Sequence, residues 1–189
     1  MPDPLAAEGV RRICVIGSIL VLATAAGSSD FAACFDRAHS NYRDAQRRWH
    51  RALHLAVLEA EPTLGALSEI NTELQLAFVA QAEKRIRAFA SRSPPGLRFE
   101  SGLSGLLNPS DWSSRDESEL RTRDPEYAEL AERVAILRPQ NDGHSDWPAL
   151  RALIRTEVMA SPSVKQVQGA LRRAGEEFVR EARSCRHPQ

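Results

Sequence analysis

The sequence predicts an all-α fold: a helical bundle built on a long antiparallel N-terminal hairpin, followed by about three shorter helices and stapled by one disulfide. Three observations lead there. Apolar residues recur at helical spacing over two long stretches separated by a single proline. Ala, Leu, Arg and Glu dominate while aromatic residues are only 6% of the chain, a composition that favours helix over strand. Two cysteines, Cys34 and Cys185, stand near opposite ends of the chain that an export signal would leave behind.

That signal opens the chain. Arg11-Arg12 precedes the apolar run from Ile13 to Leu22 and the small-residue stretch Ala23-Thr24-Ala25-Ala26-Gly27. A basic n-region, a short apolar h-region and an A-x-A-like site make residues 1–26 an expected cleaved secretory signal. Taken together, Ile13 to Gly27 is an apolar stretch of about 15 residues, short of the roughly 20 that cross a bilayer as a helix, so no stable membrane span is expected after cleavage. The expected location is periplasmic or secreted. Cys14 leaves with the leader, and in an oxidising compartment the remaining pair reads most simply as a disulfide. Closing almost the whole mature chain would stabilise the fold by roughly 4–5 kcal/mol. An alternative makes Cys34 a lipid-anchored N-terminus. Phe31-Ala32-Ala33 supplies small residues for it, whereas Asp30 interrupts the apolar run.

Residues 27–93 form the hairpin. From Phe31 to about Glu61, Ala38, Tyr42, Ala45, Trp49, Ala52 and Ala56 step by four and three, a heptad seam. Ser29 or Asp30 is the expected N-cap and Pro62 the stop. Thr63 is then expected to cap a second helix with the stripe Leu67, Ile70, Leu74, Phe78, Ala82, Ile86 and Phe89, which Ser93-Pro94-Pro95-Gly96 breaks. At 1.5 Å per residue, two helices of about 28–30 residues give a hairpin roughly 45 Å long.

Residues 94–123 are the least regular part, punctuated by Gly96, Gly102, Gly105 and Pro109, yet Leu97, Phe99, Leu103, Leu106, Leu107 and Trp112 argue for a packed segment. A short helix is expected from Ser113 or Ser114, with Asp116 and Glu117 placed for a capping box. Residues 124–189 hold the C-terminal helices, packed with the hairpin as one domain. Asp124-Pro125 opens the first, through Leu137. Pro139-Gln140-Asn141-Asp142-Gly143 reads as a turn. Ser145 or Asp146 begins the next, and Ser161-Pro162 begins the last, whose stripe Val164, Val167, Leu171, Ala174, Phe178 and Ala182 continues to Cys185. A Cys34–Cys185 bond requires the first and last helices to be antiparallel neighbours, since the Cα atoms must lie within about 4.4–6.8 Å. A closed bundle follows from that expectation.

Charge excludes some partners. The chain carries 25 basic and 25 acidic residues, and loss of residues 1–26 removes two of each. No global field steers it to nucleic acid or an anionic membrane. The sharpest site candidate is His50 with His54, two imidazoles at i and i+4 that can pinch a transition metal, given ligands from another helix such as Glu69 or Glu73. Alongside them His39, Arg43, Arg47 and Arg51 make a basic stripe suited to an anion or an acidic partner; its plainer reading is a face neutralised by Glu69, Glu73 and Glu83. The carboxylates between Asp111 and Glu119 (Asp116 and Glu117 among them) could form an acid–base pair of an envelope hydrolase, although helix starts favour such residues anyway. Gly102-Leu103-Ser104-Gly105 lacks the spacing of a nucleophile elbow. No phosphate loop, dinucleotide fingerprint or haem motif occurs, so no cofactor is expected. The expected function is a non-enzymatic one: an exported binding, adaptor or inhibitor module acting on another envelope protein.

Overall fold

The computed structural model describes residues 22–92, 97–107 and 112–186, with side chains from Asp30 onward. Every regular element among them is helical. Helix α1 spans Leu22–Ala60 and, at 39 residues, is about 60 Å long. It begins earlier than the Ser29 or Asp30 cap anticipated. Leu22-Ala23-Thr24-Ala25-Ala26 is rich in strong helix formers, and the single Gly27 costs too little to stop propagation. The expected leader thus lies outside the described residues through residue 21, and its last residues continue into α1.

The chain leaves α1 at Pro62 in a 3-10 turn, Pro62–Leu64, and enters α2, Gly65–Arg92. Thr63 is not the cap expected of it. Its hydroxyl donates to Glu61 Oε1 at 2.6 Å, while burial of Leu64 tightens the connection into the 3-10 turn. The predicted breaker, Ser93 to Gly96, lies outside the described residues. Beyond it, a 3-10 turn at Phe99–Ser101 passes into the six-residue helix α3, Gly102–Leu107. Glycine is needed twice here. Gly102 has φ +60°, and a Cβ on Gly105 would lie 2.2 Å from the Arg98 carbonyl oxygen.

Helix α4, Ser114–Arg123, starts with the anticipated capping box: Ser113 Oγ accepts from the Asp116 N–H, and Asp116 accepts from the Ser113 N–H at 2.7 Å. Asp124 then caps α5, Pro125–Asp142, accepting from the Tyr127 N–H at 3.1 Å. Here the expected turn at residues 139–143 is overturned, because α5 runs through Pro139 to Asp142. Proline so close to the C-terminus removes little of the hydrogen-bond ladder, and the Gly143 N–H closes on the Pro139 carbonyl at 2.9 Å. Helix α6, Trp147–Thr156, a 3-10 turn at Val158–Ala160, and α7, Pro162–Arg186, complete the chain. The Ser161 hydroxyl caps α7 by accepting from the Val164 N–H at 3.3 Å.

Packing sets these helices in a row, α7–α1–α2–α5, and not in a closed ring: α5 packs on α2 and α4 and forms no substantial contact with α7. Three separate cores follow among the described residues. One joins α1, α2, α3 and α7 around Phe35, Phe89, Leu106 and Phe178. A second, at the hairpin turn, holds Val57, Leu67, Leu150, Val158 and Val164. The third is small, Leu74 and Ala77 against Val134 and Leu137, and seats α5 on α2. Helix α2 therefore buries two faces, which is why its apolar residues spread beyond one stripe. The Cys34–Cys185 disulfide links the start of the described α1 side chains to the end of α7, with Cα atoms 5.7 Å apart across 151 residues of sequence, making the two helices antiparallel neighbours as expected.

Candidate functional site

The middle of the row, α1 against α2, carries the anticipated basic stripe. Glu83, only 15% exposed, receives Arg43, Arg47 (3.1 Å) and Arg87 (3.0 Å) together. Asp36 takes further bonds from Arg43 at 3.3 Å and Arg87 at 3.0 Å. Arg43 and Arg47 are thus consumed by α1–α2 pairing, with Glu83 as the neutralising acid. Arg51 remains exposed beyond this net.

The histidines separate into different environments. His50 is half-buried, and burial lowers its pKa. His54 Nδ1 lies 3.1 Å from the hydroxyl of buried Ser68 on α2. Glu69 is exposed and Glu73 pairs with Arg133 at 3.1 Å. Among the described residues no group of three or more His, Cys, Asp and Glu side chains is placed to hold a metal. His39 shares their helix but not their exposure. It sits inside the first core, 4.8 Å from the Phe178 ring and close to Phe35 and Tyr42, and its Nε2 has no hydrogen-bond partner.

Across α2, the carboxylates after Trp112 form a second connected polar cluster. Glu117 accepts from Arg85 Nε at 3.0 Å and Arg85 Nη2 at 3.2 Å, from the Tyr127 hydroxyl at 2.5 Å and from Trp112 Nε1 at 3.2 Å. Burial alone would raise its pKa. The bonds from Tyr127, Arg85 and Trp112 outweigh burial and hold the carboxyl below its ordinary value. Tyr127 is pushed up to about 12 by burial and by its bond to Glu117. Asp116 is held far below the carboxylate range by Arg92, and then by Ser113. Asp124 is lowered by Lys84, which it meets at 3.0 Å, and Glu119 pairs with Arg115 at 3.0 Å. Asp111 lies outside the described residues.

A catalytic acid needs a proton near neutral pH. Asp116 and Glu117 are shifted the other way, and what they do chemically is bind cations and cap α4. Glu117→Gln is expected to cost about 1–3 kcal/mol, because Arg85 loses its counter-ion and the Tyr127 hydroxyl its charged acceptor. Urea denaturation followed by circular dichroism measures it, and a loss under half of the lower figure would show the cluster to be energetically idle.

Asp116 and Glu117 are legible in the sequence as a capping pair and His39 as part of the basic stripe, but Arg85 and Tyr127 carry no such signal, and nothing local says that His39 is buried. Arg85 and Tyr127 are 42 residues apart, and only the docking of α5 on α2 brings them to 2.6 Å. Trp112 and Trp147 anchor loops: the first through Glu117, the second in the hairpin-turn core with Arg151 over its ring at 5.9 Å. Fold and clusters together define an all-helical, disulfide-closed domain whose central charges answer one another. No family model, curated protein or solved structure matches the chain.

Proposed function

We propose that the protein is an exported helical binding or adaptor module of the bacterial cell envelope, acting through a protein partner and not through catalysis. The observation that carries this reading is the saturation of Glu117. The carboxylate that the sequence offers for acid–base work is spent, among the described residues, on Arg85, Tyr127 and Trp112. Support for export comes from the leader-like residues 1–26 and from the Cys34–Cys185 bond, which persists best in an oxidising compartment. No helix among the described residues is long and apolar enough to cross a membrane. The end of α1 supplies a surface for a partner: Leu55 is 64% exposed, Leu58 lies one turn on, and Arg48 and Arg51 flank them.

A photo-crosslinking residue placed at position 55 in intact cells tests the reading. A discrete adduct with one envelope protein is expected, absent when the same group stands at Arg172 on α7. Recovery of bare monomer from position 55, with the protein still exported, would sink the adaptor function. Recovery in the cytosol would sink export.

A further inference from the structure

Helices α2, α4 and α5 enclose a half-open cleft of about 320 Å³ that the preceding pairing does not explain. Its size is at the lower end of small-molecule sites, which run roughly 300–1,000 Å³. Phe78, Gln81 and Arg85 reach it from one face of α2, at i, i+3 and i+7. Arg121 enters from α4 and Arg138 from α5. Ala131 and Val134 complete an apolar wall.

Two features of this cleft call for a ligand. Gln81 is only 4% exposed, yet its side-chain amide has no hydrogen-bond partner among the described residues. The amide is not sealed off as His39 Nε2, Arg43 Nε and Asn141 Oδ1 are, so its unpaired polar atoms open onto the cleft, where a ligand oxygen can take the place of water. The second feature is charge. Glu117 is the carboxylate facing these cations, 3.0 Å from Arg85 and 3.6 Å from Arg121. Arg138 has no acidic partner among the described residues and lies over the Phe78 ring at 5.2 Å. Three guanidiniums against one carboxylate leave the cleft short of negative charge.

We infer that this cleft binds a small organic oxyanion on a short apolar body, with Arg138 and Arg121 as its charge partners and the Gln81 amide donating to its oxygen. Carboxylates and phosphate monoesters share that chemistry, since a guanidinium matches either in a forked geometry. The apolar body would lie against Phe78 and Val134. This site is separate from the α1 stripe, whose arginines Glu83 and Asp36 already engage.

Calorimetric titration of the oxidised protein tests it, with benzoate, phenyl phosphate and neutral benzamide as probes. Saturable one-to-one binding of benzoate or phenyl phosphate is expected, with benzamide silent. The stronger of the two anions tells carboxylate from phosphate. Arg138→Gln removes a side chain whose contact is the Phe78 ring and is expected to weaken binding about tenfold or more, with the melting temperature nearly unchanged. Gln81→Leu is expected to weaken binding as well while leaving the fold intact, since it removes an unpaired amide. Arg172→Gln, on α7 at the far side of the row, is expected to bind as the parent does. Absence of saturable binding by both anions, equal binding of benzamide, or undiminished binding by folded Arg138→Gln would overturn the site.

Discussion

Replacing Cys34 and Cys185 by serine is expected to lower the unfolding free energy by about 4–5 kcal/mol, the largest effect of any change considered for this protein. The bond closes a 151-residue loop, and its absence frees the unfolded chain far more than it alters the folded one. The folded state has few ways to compensate, because the row α7–α1–α2–α5 is open. Helix α7 is held by α1, by α3 and by the turn after α6, without a second long helix behind it. Against a typical total stability of about 5–15 kcal/mol, the loss amounts to roughly a quarter or more. A fall in melting temperature of about 10–15 °C follows for a domain of this size. Thermal unfolding with and without reductant measures it, the double serine variant serving as the control that reductant must not shift. A change of only two or three degrees would show that contacts between α1 and α7 hold that end unaided.

Acid is expected to weaken the fold through His39, in a window set by its burial. Desolvation, and then the nearby positive charge of Arg43, lower its pKa from 6.5 to about 4; Asp36 opposes them, and Arg87 and Arg47 add to the lowering. In the unfolded chain the imidazole takes a proton near pH 6.5, whereas the folded protein refuses it until about pH 4. Between those values the unfolded state binds more protons, so stability falls as pH falls, and the deficit is complete below about pH 4. At 1.36 kcal/mol per pH unit it reaches about 3 kcal/mol. His50, lowered by burial, adds in the same direction. The carboxylates of Asp116, Glu117 and Asp124 are all held below their ordinary values, so their contributions are lost at lower pH. His39→Leu, close in volume and without a titrating group, is expected to remove most of the slope between pH 6.5 and 4. Denaturant midpoints across that range decide it, and an unchanged slope in the variant would place the acid sensitivity elsewhere.

Much of the secondary structure is legible in the chain because its signals are local. The Ser113–Asp116 capping box, Asp124-Pro125 and Ser161-Pro162 each open a helix where they stand, since a cap needs only its own next turn. The boundaries that differ are those where local signals compete. Pro139 reads as a stop, but proline three residues from a helix end breaks almost nothing. Ser29 reads as a start, but the alanine-rich residues before it prefer to continue the helix. Of the candidate site residues, Arg43 and Arg47 are legible by their stripe, and Glu83 as their counter-charge. Arg85, Tyr127 and Arg138 carried no comparable signal, since each takes its meaning from a residue on another helix.

By itself, then, the sequence determined that this protein is helical, where most helices begin, that a long hairpin leads, and which two cysteines join first helix to last. Periodicity, capping and cysteine count are properties of neighbours along the chain, and the loop the disulfide closes is a matter of residue number. The tertiary structure alone decided that the helices stand in an open row, that His39 faces the aromatic core while His50 and His54 do not, and that three arginines and an unpaired glutamine meet in one cleft. Those outcomes depend on the rotation and crossing of each helix against its neighbour. A 3.6-residue pattern says that a helix has a buried face but leaves open which partner covers it.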